Sequence, residues 1–410
     1  MVGNLPAAGK GLLFFPARFA TVRPMTKHAV ILGGGMVGSA MAMDLARDGG
    51  LRVTVVDARE EALARVRAKH GVGVRRAELG DPSAVRAAVA DADIVLGALS
   101  SVIGLQTLRA VIEANKRYVD ISFMADDALQ YDALAREHGV VAVVDCGVAP
   151  GMSNLLAGYA AHVLSPCEHI DIMVGGLPAE RRWPYEYKAG FAPHDVIEEY
   201  VRPSRVVEGG KLVVKEALSE PELVELPGLG TLEAFNTDGL RSLATTLAVP
   251  HMRERTLRYP GHIALMRVLR ESGFFGKEPI AVKGATVRPL DVTAALLFPK
   301  WTFEDGEADL TVMRVEATGT KDGKRMLLRW DLFDRYDPQT GYRSMSRTTA
   351  FPATIIARRV LDGTIATPGV LPPEKLAAVP GLVDDVCAQL GERGVRYQAS
   401  TRALADGAGA

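Results

Sequence analysis

Three glycines at fixed spacing, Gly33, Gly35 and Gly38, follow an apolar run and open a helix-like stretch, and a carboxylate, Asp57, stands about 20 residues further on. Residues of these types at this spacing bind a diphosphate and a ribose. Gly33 permits a tight turn, Gly35 lets the backbone approach a pyrophosphate, and Gly38 lets helix and strand pack closely. A helix opening at Met36 and Val37 turns unpaired amides and the positive end of its dipole toward the phosphates. Asp57 ends the next apolar run, where a carboxylate accepts from the ribose 2′-OH. The set points to a nicotinamide dinucleotide. Asp57 favours NAD because it repels a 2′-phosphate, while Arg59, two residues on, keeps NADP as the lesser alternative.

The elements that must hold these residues are legible around them. Apolar runs at 28–32, 52–56, 72–78, 93–99, 117–121 and 140–144 alternate with helical patterns. Six such strands predict an α/β fold, a Rossmann doubly wound parallel sheet over residues 26–150. Ligands bind such a sheet at the carboxyl ends of its strands. Asp81 falls there, as an adenine-side residue or as a helix N-cap. Leu99 and Ser100 belong near the nicotinamide, and Ser122 does likewise or caps the next helix. Pro150 and Gly151 lie in the turn from Asp145 to Asn154, whose following helix could dock an anionic group or the carboxamide. A rigid domain junction would use the same residues.

After Cys167 the pattern becomes β-rich, with an Asp322-Gly323 hairpin signal between two long alternating runs. An inserted α+β substrate domain is expected over 151–345, then a C-terminal segment, 346–400, that packs back on the dinucleotide domain. Residues 1–25 are expected to be a disordered extension, and 401–410 a disordered tail. With 48 basic and 49 acidic residues in 410, the chain carries no field for nucleic acid or an anionic membrane. Its three cysteines show no metal or disulfide spacing, and no apolar run spans a bilayer. A cytoplasmic protein without a bound metal is expected. Edge strands in the β-rich domain suggest a homo-oligomer.

Further motifs appear in order: Asp145-x-Gly-Val-Ala-Pro-Gly-Met152, Gly175-Gly-Leu-Pro178 followed by Glu186-Tyr187, Leu232-Glu-Ala-Phe-Asn-x-Asp238, Thr256-Leu-Arg-Tyr-Pro-Gly-His262 and Arg347-Thr-Thr-Ala350. With the glycine fingerprint, this series resembles the saccharopine dehydrogenase-like family, nearest its lysine 6-dehydrogenase branch, over residues 28–400. The resemblance implies an amino-acid substrate and oxidation at a C–N centre. In that branch hydride leaves Cε of L-lysine for NAD, water attacks the iminium, ammonia departs, and the semialdehyde cyclises to piperideine-6-carboxylate. A saccharopine dehydrogenase acting on a secondary amine, or a non-catalytic NAD(H) sensor of the same fold, are the alternatives.

Hydride transfer needs a neutral amine, so a base must take its proton. Glu186, among aromatic neighbours that could desolvate it, is the first candidate, with Asp238 and Asp145 in reserve. Arg258, Arg347 and Arg241 are candidates to clamp a carboxylate bidentately. His262 could shuttle protons, and Tyr187 could orient substrate. Each of these side chains also has an ordinary structural reading, as turn, cap or packing residue.

Overall fold

A computed structural model describes residues 26–405 apart from Asp48 and Ala125. The expected extension over 1–25 and the last residues of the tail lie outside the described residues. The strands β1 (Lys27–Leu32), β2 (Leu51–Asp57), β3 (Gly73–Arg76), β4 (Ile94–Gly97), β5 (Arg117–Asp120) and β6 (Val141–Val143) form one parallel sheet in the order 3-2-1-4-5-6. That is the doubly wound order, and its chain reversal falls between β1 and β4. The central strands are apolar throughout because helices cover both faces: Ala29 to Leu32 and Ile94 to Leu96 are fully buried.

A seventh strand, Gly369–Leu371, extends the sheet by pairing in parallel with β6. It comes from the C-terminal segment, so the chain does return to its first domain. The helix Ser344–Leu361 leads that return and packs along the fingerprint helix Met36–Ala46. At their contact Asp44 is buried and accepts from Thr354, Arg358 and Arg393. Burial alone would raise its pKa, but the two guanidiniums outweigh it and hold the carboxyl below its ordinary value.

The second sheet is mixed. Its centre is the strand Cys167–Pro178, parallel to His251–Arg258 on one side and antiparallel to Asp309–Lys321 on the other. Asp322 and Gly323 take positive φ in the predicted hairpin to Lys324–Arg335. Tyr397–Ala403 pairs antiparallel with that strand, so residues 401–403 are ordered sheet rather than disordered tail. Beside this sheet the helices Pro193–Val201, His262–Glu271 and Pro289–Trp301 form a small aromatic core around Trp301 and Tyr200. Among the described residues no helix is long and apolar enough to cross a membrane.

Candidate functional site

A cleft of about 620 Å³ runs between the carboxyl ends of the parallel sheet and one face of the second sheet. Its dinucleotide side is made largely of backbone. Gly33 has φ of 102°, and a Cβ there would sit 2.3 Å from the Ala98 carbonyl oxygen. A Cβ on Gly38 would come within 1.9 Å of the Gly33 carbonyl oxygen, so β1, the β4 loop and the fingerprint helix meet without side chains between them. A Cβ on Gly35 meets nothing within 4 Å, leaving room over the helix N-terminus. Gly35, Met36 and Val37 line the cleft, as do Leu99 and Ser100 from the far side of the strand reversal. These residues fit a dinucleotide diphosphate.

Asp57 does not face this space as expected. One carboxylate oxygen accepts from the Gly34 amide at 2.7 Å and from Arg59 Nη2, and the other accepts from the amide and Nε of Arg59. Burial pushes the carboxyl up, but these hydrogen bonds prevail and keep it below its ordinary pKa. The cleft is met there by Arg59, Arg65 and Lys69. Asp81 is a helix N-cap, accepting from the Ser83 amide at 2.9 Å, and does not line the cleft. Ser122 donates to Asp120, a buried carboxyl pushed up to about 7 by desolvation, and leaves the cleft wall to its neighbours Ile121 and Phe123. Pro150 lines the cleft with Gly147, Val148 and Ala149. Gly151 is buried behind them at φ 143°, where a Cβ would collide with the Gly147 carbonyl, and it serves the turn itself.

On the opposite side the wall is made of charged side chains, Arg258 buried and Asp195 and Glu199 half-buried. Arg258 is 2% exposed, donates from Nη2 to Glu199 at 2.6 Å and from Nε to Tyr200 Oη, and stacks on the ring of Tyr187. Burial would lower its pKa, but the facing tyrosines and Glu199 keep it charged. Asp195 and Glu199 stand one turn apart on the helix Pro193–Val201 and both line the cleft. Burial raises both carboxyls. Ser101, opening the helix after β4, donates to Asp195 at 2.6 Å and so ties the two walls together.

Of the predicted chemical residues, Arg258 alone lines the main cleft, and Asp238 lines a small chamber beside it. Glu186 pairs with Arg181 outside it. Asp238 receives both arms of Arg205, at 2.7 and 2.9 Å. His262 is buried, with Nδ1 against the Tyr185 carbonyl and Nε2 against Tyr200 Oη, and burial drives its pKa down to about 3; it is a neutral core histidine and no proton shuttle. Arg347 binds Asp334 and the carbonyls of Arg335 and Arg393, fastening the return helix rather than a substrate. Tyr187 is buried beneath Arg258 and orients that guanidinium, not a ligand. Asp145 and Arg241 bind each other.

Sequence reading missed Asp195, Glu199 and Thr256. The i, i+4 acids after Pro193 and the strand alternation Glu254, Thr256, Arg258 were the available signals. Among the described residues no His, Cys, Asp and Glu cluster could hold a metal ion.

A family model described as the saccharopine dehydrogenase NADP binding domain matches residues 29–143, and one described as the saccharopine dehydrogenase C-terminal domain matches residues 147–395. The chain is 24% identical to an NADP(+), L-glutamate-forming saccharopine dehydrogenase of Pyricularia oryzae, over 85% of this chain and 94% of that one. It is 23% identical to a carboxynorspermidine synthase of Vibrio cholerae, over 71% and 74%. The apo saccharopine dehydrogenase (L-Glu forming) structure from Saccharomyces cerevisiae superposes with a TM-score of 0.76 at 19% identity, over 92% of this chain and all of that one.

Proposed function

The chain belongs to the saccharopine dehydrogenase family, and on that premise we propose that it is a nicotinamide-dependent oxidoreductase that oxidises a C–N bond of an amino acid, with the ε-amine of L-lysine as substrate. The observation that carries the substrate is the charge inventory opposite the glycine loop. Arg258 offers one buried guanidinium for a carboxylate, and Asp195 and Glu199 offer two carboxylates for ammonium groups. Lysine has one carboxylate and two amino groups, which matches. Saccharopine carries three carboxylates, two of which would meet like charge here. The second reading is nevertheless saccharopine, because relatives covered over most of their length bear that activity in their names.

The dinucleotide, when bound, accepts hydride at C4 of its nicotinamide. The chain's own work is placement. Arg258, held by Glu199, Tyr200 and Tyr187, fixes the α-carboxylate, and Asp195 and Glu199 fix the amines. Leu99, Ile121, Ala149 and Pro150 supply apolar lining to the cleft. Incubation with L-lysine and coenzyme should yield reduced coenzyme and ammonia in equal amounts, with the semialdehyde cyclising to piperideine-6-carboxylate. Turnover of saccharopine and not lysine would select the second reading. Tight coenzyme binding with no turnover on any amine would leave a sensor.

The coenzyme reading also shifts with the geometry. Asp57 has both oxygens occupied, whereas Arg59, Arg65 and Lys69 present three cations to the cleft. That rim suits the 2′-phosphate of NADP better than Asp57 suits a free ribose, so NADP joins NAD as coenzyme and is the preferred one. Arg59→Ala should move the ratio of kcat/KM values toward NAD by at least about tenfold, the scale of one charge-assisted contact. An unchanged ratio would return the assignment to Asp57 and NAD.

A further inference from the structure

Behind the cleft lies a side chamber of about 40 Å³, room for no more than a few waters. Phe123, Pro150, Val174, Glu199 and Thr256 line both spaces, so the chamber opens off the main cleft. At its end sits Glu254, 4% exposed on the strand His251–Arg258. The carboxyl lies directly against Gly239, where a Cβ would come 2.2 Å from Oε2. Thr237 Oγ1 donates to Glu254 Oε2 at 2.5 Å, and Thr237 Oγ1 is 2.9 Å from Thr256 Oγ1. All three side chains are buried. A continuous chain of hydroxyls therefore links a buried carboxyl to the wall of the cleft.

We propose that Glu254, Thr237 and Thr256 form a proton relay that carries the amine proton out of the cleft during oxidation. The inference rests on the amine-oxidation reading above. Oxidation of R–CH2–NH3+ with one water and the oxidised coenzyme gives R–CHO, NH4+, reduced coenzyme and one proton, and that proton must leave the amine before hydride can. With Glu254 ionised, Thr237 donates to it and Thr256 donates to Thr237, which leaves a lone pair of Thr256 facing the cleft. A proton from the amine then enters at Thr256, each hydroxyl passes its own proton onward, and Glu254 ends protonated. Water and the iminium supply every proton of the aldehyde and the ammonium ion, so the proton on Glu254 is the one released overall, and it returns through the same hydroxyls once the products have left.

The groups facing Glu254 are consistent with this duty. Glu198 and Glu199 stand on the neighbouring helix with Arg202 at its end, Asp238 lies across with its partner Arg205, and Arg258 follows on the same strand. Burial first, then Glu199 and Asp238, push the Glu254 carboxyl up to about 8 against the pull of Thr237 and the Gly239 amide. A group of that affinity both takes and returns a proton near neutral pH.

Two measurements decide the proposal. In a pH jump followed by infrared absorption, the carboxyl band that Glu254→Gln removes should equilibrate at least about tenfold more slowly in Thr256→Val; equal rates overturn the relay. With L-lysine, kcat should rise through about pH 8 in the parent. Glu254→Gln and Thr237→Val should lose that inflection and about 100-fold in kcat with KM nearly unchanged, and Thr237→Ser should keep both. A Glu254→Gln enzyme that retains the inflection overturns the relay as well. If the parent oxidises neither lysine nor saccharopine, the functional reading falls, and the infrared rates still decide the relay.

Discussion

The two walls of the cleft do their work with different materials. The dinucleotide wall is largely backbone: three glycines and a helix N-terminus within a few residues of one another, with strand ends beside them. The substrate wall is side chain: Arg258, Asp195, Glu199 and Thr256, brought together from a strand and a helix more than fifty positions apart. Backbone recognition tolerates no added atom, and side-chain recognition tolerates no lost partner. The two walls should therefore fail in opposite ways.

The largest effect is expected at the glycines. Gly38→Ala places a methyl 1.9 Å from the Gly33 carbonyl oxygen, which only a shift of the turn can relieve. Coenzyme affinity, read by fluorescence titration of the reduced form, should fall by at least about 100-fold, the equivalent of about 3 kcal/mol. Arg258→Lys tests the other wall. The substitution keeps the charge but breaks the fork that serves Glu199 and Tyr200. Steady-state kinetics should show kcat/KM for the amino acid down by about 100-fold, the scale of a disrupted buried charge pair, with coenzyme affinity unchanged. Loss of both together would erase the distinction between the walls.

An effect on stability rather than on binding concerns the packing beneath Arg258. His262 is buried neutral, with a folded pKa near 3 against 6.5 when free. Its pKa is lowered on folding, so the unfolded chain binds the extra proton. Its contribution to stability is complete above pH 6.5 and is lost as pH falls from 6.5 toward 3, at up to about 1.4 kcal/mol per unit. Denaturant unfolding across that window should show this slope and its loss in His262→Gln. The smallest effect is expected from Glu186→Gln, which removes a partly exposed ion pair with Arg181 outside the cleft. Its kcat should stay within about twofold of the parent, since such pairs contribute little. A hundredfold loss would put Glu186 back in the chemistry.

The same contrast explains what could be read in advance. The Rossmann sheet and the glycine turn were legible because turn chemistry and apolar periodicity are local, while the strand order 3-2-1-4-5-6 comes from pairing between distant segments. The C-terminal return was legible from family resemblance, though the strand Gly369–Leu371 that completes the sheet was not, since three residues carry no periodicity. On the substrate wall, the side chains apt for chemistry have partners that the sequence does not show. Arg205 takes Asp238, Arg181 takes Glu186, Asp334 takes Arg347 and Tyr200 takes His262, each across a gap that spacing does not reveal. Asp57 failed in the same manner, its oxygens claimed by Gly34 and Arg59. Arg258 survived because its strand position aims it at the cleft, and the same alternation carries Thr256 and Glu254.

In the proposed function Arg258, Asp195 and Glu199 together select a substrate with one carboxylate and two amines. Competition between L-lysine and saccharopine at equal concentration, with coenzyme reduction and ammonia release followed together, tests it most directly. Lysine should yield reduced coenzyme and ammonia in one-to-one ratio, and saccharopine a kcat/KM at least about 100-fold lower, the cost of about 3 kcal/mol of like-charge contact. Coenzyme reduction driven by saccharopine without ammonia, and none driven by lysine, would contradict it.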